Sequence, residues 1–359
     1  MKTILVIDDS ALMRKLLKQI IERAGYAVEV AKNGQEGFDA IKASPPDAVT
    51  LDINMPVMDG LTCLSHIMTH MPVPVIMVSS LTETGALATF EALEMGAIDY
   101  VAKPSGTVSL NISDIEAELL SKIKVALRSR VGKAKSLRQR LRTQQDSKPL
   151  NPVCVPKKRL TACTRKTKIV DGIVIIGVST GGPSTLEKVL SGLPLDFPWP
   201  IIVAQHMPSK FTRVFAERLN RVCNIEVKEL SRVSELEAGT VFIAKGDADV
   251  KLIRRRDTIL VTTVPPQSEF IWHPSVELLA QSVGEFYEEN SIICVLLTGM
   301  GNDGAKAITD LNKKGARTIA ESKQSAIVFG MPKVLIDMGG ADVVLDSKNI
   351  AQQLVDWVF

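Results

Sequence analysis

Ile173-Val174-Ile175-Ile176-Gly177-Val178-Ser179-Thr180-Gly181-Gly182-Pro183 reads as a buried strand that breaks into small residues before a helix. The β-branched run suits an interior strand, the glycines permit a sharp turn, and Pro183 suits a first helical turn. Gly177 to Gly181 match the G-x-S-x-G elbow, which lifts a hydroxyl above an α/β sheet. Such glycine- and serine-rich turns are mostly plain connections, so Ser179 becomes a candidate nucleophile only if the chain also supplies a base and an acid.

Downstream, a helix near Ser184–Leu190 leads to strand Ile201–Ala204, then Gln205-His206-Met207-Pro208 and a helix through Phe211, Val214, Phe215 and Leu219. Val241–Ala244, Val250–Arg254 and Thr258–Thr263 read as antiparallel strands, with Arg256-Asp257 in a turn. After a helical pattern at Val276, Leu278, Leu279 and Val283, strand Ile292–Leu297 runs into Thr298-Gly299-Met300-Gly301-Asn302-Asp303-Gly304. Ser179, His206 and Asp303 therefore fall at strand ends, where open α/β sheets gather their sites. There a carboxylate can orient an imidazole that takes the hydroxyl proton. The order Ser, His, Asp differs from that of the α/β-hydrolases. His273, at a helix start, is pocket rim or structure. A rival reading takes the glycine-rich loop as G-x-G-x-x-G, with Glu321 as the dinucleotide-binding acid. Against it, Asp303 inside that turn opposes the attraction of a helix N-terminus for an anion.

Upstream, Ile4–Ile7, Ala27–Ala31, Ala48–Leu51, Val75–Val78 and Ile98–Val101 alternate with helical-period segments such as Leu12, Leu16, Leu17, Ile20, Ile21 and Leu87, Phe90, Leu93. Five βα units predict a parallel sheet covered on both faces. Its strand ends collect Asp8, Asp9, Asp52, Ser79 and Lys103. Crowded carboxylates call for a hard divalent cation, and magnesium prefers few carboxylates with waters and phosphate oxygens. Asp52 is then a phosphate acceptor, with Lys103 neutralising the added charge and Ser79 donating a hydrogen bond. His66 and His70 read as surface residues.

The 359 residues, 45% hydrophobic and 23% charged, fit two globular domains. Five scattered cysteines without a C-x-x-C pair indicate neither a disulfide framework nor a zinc site. No signal peptide or bilayer-spanning run is legible, so a cytoplasmic location is expected. Residues 122 to 168 carry sixteen Lys or Arg against one acid, Asp146, with prolines and no apolar period. We read this as a solvated linker, because no recognition-helix or aromatic-basic pattern accompanies the charge that a nucleic-acid reading would need.

IDDS at Ile7–Ser10, LDINMPVMDG at Leu51–Gly60 and DYVAKP at Asp99–Pro104 resemble the response-regulator receiver family. The resemblance implies a flavodoxin-like fold, Mg²⁺ held by Asp8 or Asp9 with Asp52, phosphorylation of Asp52 by a chemotaxis histidine kinase, and a switch through Ser79, Tyr100 and Lys103. GVSTGGP at Gly177–Pro183, QHMP at Gln205–Pro208, WHPSVELL at Trp272–Leu279 and LTGMGNDGA at Leu297–Ala305 are similar to the CheB-type protein-glutamate methylesterases. That implies Ser179 as nucleophile, His206 as general base and acid, Asp303 as orienting carboxylate, and Thr180 and the Met300 amide as oxyanion or substrate contacts. Relatives often have Tyr or His followed by Arg where this chain has Trp272-His273. The expected architecture is α/β throughout. A flavodoxin-like receiver (1–127) precedes a basic linker (128–168) and a doubly wound catalytic domain (169–359) with a mainly parallel sheet and an antiparallel hairpin. Implied function is phosphorylation-activated hydrolysis of glutamate methyl esters, and deamidation of glutamines, on methylated chemoreceptors. No cofactor in the catalytic domain, no nucleic acid and no membrane insertion are expected. The alternative is a response regulator with a DNA-binding or dinucleotide-binding output.

Overall fold

The computed structural model describes residues 1–80, 82–103, 112–129 and 171–359. Most of the expected basic linker, from residue 130 on, lies outside the described residues, as does Pro104.

Five strands, β1 (Thr3–Ile7), β2 (Ala27–Ala31), β3 (Ala48–Asp52), β4 (Val75–Ser79) and β5 (Asp99–Ala102), pair in parallel in the order β2-β1-β3-β4-β5. This is the flavodoxin-like order. Helices α1 (Ala11–Arg23), α2 (Gly34–Ala43), α3 (Gly60–His70), α4 (Glu83–Met95) and α5 (Ile112–Ala126) cover it. Because strand side chains alternate, Ile4 and Val6 pack with Leu17, Ile20, Leu119 and Ile123 of α1 and α5. Leu5 and Ile7 pack with Phe38, Leu64 and Phe90 on the opposite face. Asn33, Asp59 and Thr82 cap α2, α3 and α4 through side-chain oxygens that accept from Glu36, Thr62 and Gly85 amides, replacing partners the first helical turn lacks. Leu12 and Leu87, expected in the helical stripe, stay exposed. The buried stripe of α1 is Met13, Leu17, Ile20 and Ile21, and a stripe about 100° wide does not reach Leu12.

The second region continues with β6 (Ile173–Val178), α6 (Gly182–Ser191), β7 (Ile201–Gln205), α7 (Ser209–Val222), β8 (Glu226–Leu230), β9 (Ser234–Glu235), β10 (Thr240–Ala244), β11 (Asp249–Arg255) and β12 (Thr258–Val264). It ends with α8 (Val276–Gly284), β13 (Ile292–Leu296), α9 (Ala305–Lys314), β14 (Arg317–Glu321), α10 (Met331–Asp337), β15 (Val343–Leu345) and α11 (Ser347–Val358). Seven strands form one parallel sheet, β15-β14-β13-β6-β7-β10-β8. Strands β11 and β12 form the antiparallel hairpin, with β9 on its edge. Val241–Ala244, expected to be antiparallel, lies instead in the parallel sheet between β7 and β8. All five residues of β10 are buried, and a strand covered on both faces is what parallel sheets contain.

The two sheets meet through helices. Phe90 of α4 stacks on Phe215 of α7 at 5.2 Å, and Tyr100 of β5 stacks on Phe211 at 4.8 Å with planes 10° apart. Ion pairs Glu83–Arg213 and Glu94–Arg218 flank this aromatic cluster, and Arg218 also reaches Glu187 of α6 at 3.1 Å. Among the described residues no helix is long and apolar enough to cross a membrane.

Candidate active site

Strands β13, β6 and β7 are neighbours, and their carboxyl ends feed the loops that carry Asp303, Ser179 and His206. The chain winds from β6 to β7 on one side while β13 joins β6 on the other, so these loops flank the switch point where doubly wound sheets bind ligands.

The backbone fixes the Ser179 turn. Ser179 N–H donates to the Thr298 carbonyl at 2.9 Å, and Gly182 N–H to the Ser179 carbonyl at 2.8 Å. Gly181 takes φ +75°, a left-handed value that glycine adopts freely. A Cβ on Gly299 would stand 2.8 Å from Ser179 Cβ, so the close approach of the two loops requires glycine there. The Gln205 side-chain amide donates to the carbonyls of Ser179 (3.0 Å) and His206 (3.1 Å), tying one turn to the other.

His206 Nε2 lies 2.8 Å from Asp303 Oδ2. Donating that N–H to the carboxylate leaves the lone pair on Nδ1, and Nδ1 is buried without a hydrogen-bond partner among the described residues. Asp303 also accepts from Ser275 Oγ (3.2 Å) and from the Val276 (2.7 Å) and Glu277 (3.0 Å) amides. The carboxylate thus sits on the N-terminus of α8, where unpaired N–H groups favour an anion. Burial pushes the Glu277 carboxyl up, against the Ala307 amide, which pulls it down.

Ser179 Oγ forms no hydrogen bond with a described residue. Thr180 is buried and Met300 is on the exposed rim. Among the described residues neither of their amides donates a hydrogen bond. An imidazole held by a carboxylate, beside a serine turn with two uncommitted amides, can deprotonate a hydroxyl and stabilise an oxyanion.

Three supports were not assigned to this site from the sequence. Thr298 donates its N–H to Glu321 Oε2 (2.8 Å) and its hydroxyl to the Thr180 carbonyl (2.8 Å), while that hydroxyl accepts from Val328 N–H (2.8 Å). Glu321 accepts from Ser325 Oγ as well, at 2.8 Å, and is fully buried at the end of β14. Burial pushes its carboxyl up, opposed by those two hydrogen bonds. This tells against the dinucleotide reading, because both Glu321 oxygens are committed to an amide and a hydroxyl inside the protein. Gln205 and Thr298 lay inside the stretches QHMP and LTGMGNDGA without a role of their own, and Glu321 was weighed only as a dinucleotide-binding acid.

Trp272 lies parallel to His206, ring centroids 5.9 Å apart. His273 Nδ1 is 3.0 Å from Asp249 Oδ1, so the residue expected as rim or structure is held by a buried carboxylate. His66 and His70 of α3 pack against Phe38 of α2 and take no part in either cluster.

In the first sheet the ends of β1 and β3 bring single oxygens of Asp8, Asp9 and Asp52 within 4.8 Å of one another. Lys103 Nζ reaches Asp8 Oδ2 at 3.0 Å and Asp52 Oδ2 at 2.9 Å. Burial pushes the Asp52 carboxyl up, Lys103 pulls it down and Asp8 adds to the rise. An all-oxygen set of three carboxylates fits a hard divalent cation. The Ser79 hydroxyl donates instead to the Gly85 carbonyl in α4, at 3.1 Å. Tyr100 is buried against Phe211.

Known proteins resemble this chain in both regions. Residues 4–112 match the family model of the response regulator receiver domain, and residues 174–354 that of the CheB methylesterase. A protein-glutamate methylesterase/protein-glutamine glutaminase of Rhodospirillum rubrum is 49% identical over 365 residues, covering 100% of this chain and 96% of its own. Another, from Archaeoglobus fulgidus, is 40% identical over 353 residues, covering 98% and 97%. The crystal structure of the Thermotoga maritima CheB methylesterase catalytic domain aligns with a TM-score of 0.50 and 38% identity, over 52% of this chain and 98% of that one. Relatives matched from end to end leave one assignment: the chain belongs to the CheB methylesterase family of carboxylic ester hydrolases, with a response regulator receiver domain ahead of the catalytic one.

Proposed function

We propose that this chain hydrolyses γ-glutamyl methyl esters on cytoplasmic segments of chemoreceptors, deamidates glutamines there by the same acyl chemistry, and is activated by phosphorylation of Asp52 by a chemotaxis histidine kinase. The observation that carries the catalytic part is the His206–Asp303 pair beside the Ser179 turn, at the ends of three adjacent strands. Ser179 Oγ attacks the ester carbonyl while His206 Nδ1 takes its proton. The Thr180 and Met300 amides receive the oxyanion, and each such donor contributes about 10²–10³ in rate. Collapse expels methoxide, which takes the proton from His206. Water, deprotonated by the same imidazole, then releases the glutamate carboxylate and restores Ser179. Asp303 stays ionised and holds the ring.

The contacts between the sheets support a route of control. Asp52 attacks the phosphoryl donor, and Lys103 neutralises the new charge. Asp8, Asp9 and Asp52 would hold Mg²⁺, which when bound supplies further neutralisation of phosphoryl oxygens. Ser79, turning its hydroxyl toward the phosphoryl group, gives up the Gly85 carbonyl and so loosens the start of α4. That helix carries Glu83, Phe90 and Glu94 to α7, and α7 begins three residues after His206.

The test uses the full chain with receptor membranes carrying labelled methyl esters, with and without a small phosphodonor and Mg²⁺. Release of labelled methanol is expected, stimulated by the phosphodonor only when Asp52 is intact. Ser179→Ala is expected to lower release by at least about 10³-fold. Undiminished release from that variant would remove the assignment, and equal stimulation of Asp52→Asn would remove the control.

A further inference from the structure

The loop from Ile271 to Ser275 meets the His206–Asp303 pair at two points. The Trp272 ring lies parallel to the His206 imidazole, with centroids 5.9 Å and planes 6° apart. Its other edge abuts the loop that carries Asp303, where a Cβ on Gly301 would stand 2.7 Å from Trp272 Cζ2. Ser275 Oγ donates to Asp303. Asp249, at the base of the hairpin and fully shielded, anchors this loop from both sides of Trp272. It accepts from Gln267 N–H at 2.9 Å, from Ser275 N–H at 2.8 Å, and from His273 Nδ1 at 3.0 and 3.1 Å.

A single hydrogen bond to Asp303 fixes one atom of the imidazole and leaves the ring free to pivot about it. A flat indole against one face removes that freedom. Parallel offset rings also attract, and an aromatic face favours a cation within about 6 Å of its centre. At 5.9 Å the charge effect is near the end of its range, so orientation is the larger contribution.

We propose that Trp272, anchored through Asp249 and His273, is a positioning residue for ester hydrolysis: it holds the plane of the His206 ring so that Nδ1 stays aimed at Ser179, and it favours the imidazolium formed during acyl transfer. This rests on the reading of Ser179, His206 and Asp303 given above. The charged and titratable groups around the ring are Asp303 in direct contact, Glu277 beyond Asp303, and the Asp249–His273 couple on the Trp272 side.

The experiment measures kcat and KM for methanol release from methyl-labelled receptor membranes by full-length Trp272→Leu and Trp272→Phe chains, from mildly acidic to alkaline pH. Trp272→Leu is expected to lower kcat about tenfold with little change in KM, and to move the acidic limb of the kcat profile to lower pH. Trp272→Phe, which keeps a flat ring, recovers most of the rate. Wild-type kcat in Trp272→Leu, a change confined to KM, or an equal loss in both variants overturns the proposal. Release by neither the wild type nor any variant would instead overturn the esterase reading. Independently of turnover, NMR of the Ser179→Ala chain is expected to show the His206 ring protons shifted by the indole ring current; resonances without that shift overturn the stack itself.

Discussion

Asp303 and Glu321 end or follow adjacent strands, both are buried, and their neighbours give them opposite uses. Asp303 meets an imidazole; Glu321 meets only an amide and a hydroxyl. The raised Glu321 pKa means that its contribution to folding is full below the unfolded value near 4.5 and is lost as pH rises through the higher folded value. At neutral pH the buried carboxylate is therefore a cost, offset by holding Thr298. Glu321→Gln keeps an acceptor for Thr298 N–H without the charge. It is expected to melt a few degrees above the wild type at neutral pH, with the difference closing on acidification; a gap that widens in acid would contradict this. Glu321→Ala leaves a buried N–H unpaired, at about 1–3 kcal/mol, and is expected to slow methanol release because Thr298 holds both Ser179 and Thr180 in place. Ser179, His206 and Asp303 were legible because each stands in a distinctive loop at a strand end. Glu321 entered only the rival dinucleotide reading, because G-x-G-x-x-G spacing carries no information about burial, and Thr298 and Gln205 acquire partners only when three loops converge.

Between elements, apolar packing outweighs charge. Replacing a buried Phe by Ala costs about 3–5 kcal/mol, whereas an exposed ion pair contributes about 0.2–1 kcal/mol. Arg213 and Glu83 are both exposed, while Phe90 and Phe215 are buried and stacked. Phe90→Ala is therefore expected to raise methanol release severalfold in the absence of phosphodonor and to shrink the response to it. Arg213→Ala should stay within about twofold of wild type. Unaltered phosphodonor dependence in Phe90→Ala would show that the α4–α7 contact does not restrain the enzyme. The Phe211, Val214, Phe215, Leu219 stripe was readable at helical spacing, but its period does not say which residues face the chain's own sheet and which face a second one. The same ambiguity misassigned Val241–Ala244, since a short apolar run announces a strand without announcing its direction.

Across the whole molecule, one apolar cluster runs from Phe38 and Leu64 through Phe90 and Phe211 to Val174 and Leu354. The two sheets are thus joined by core rather than by polar rim. Calorimetry of the full chain is expected to show their unfolding coupled, and Phe90→Ala to separate the transitions; resolved transitions in the wild type would contradict the coupling. Two parallel α/β sheets were legible from alternating strand and helix patterns, while the order β15-β14-β13-β6-β7-β10-β8 was not, because strand order depends on crossovers that leave no local pattern. The helices that bear the receiver, α6 and α7, begin three residues after Ser179 and His206 respectively. In the proposed control, turnover and restraint are consequently written on the same two helices. Under the proposed control, a lineage selected for a faster unstimulated enzyme would erode its obedience to the kinase.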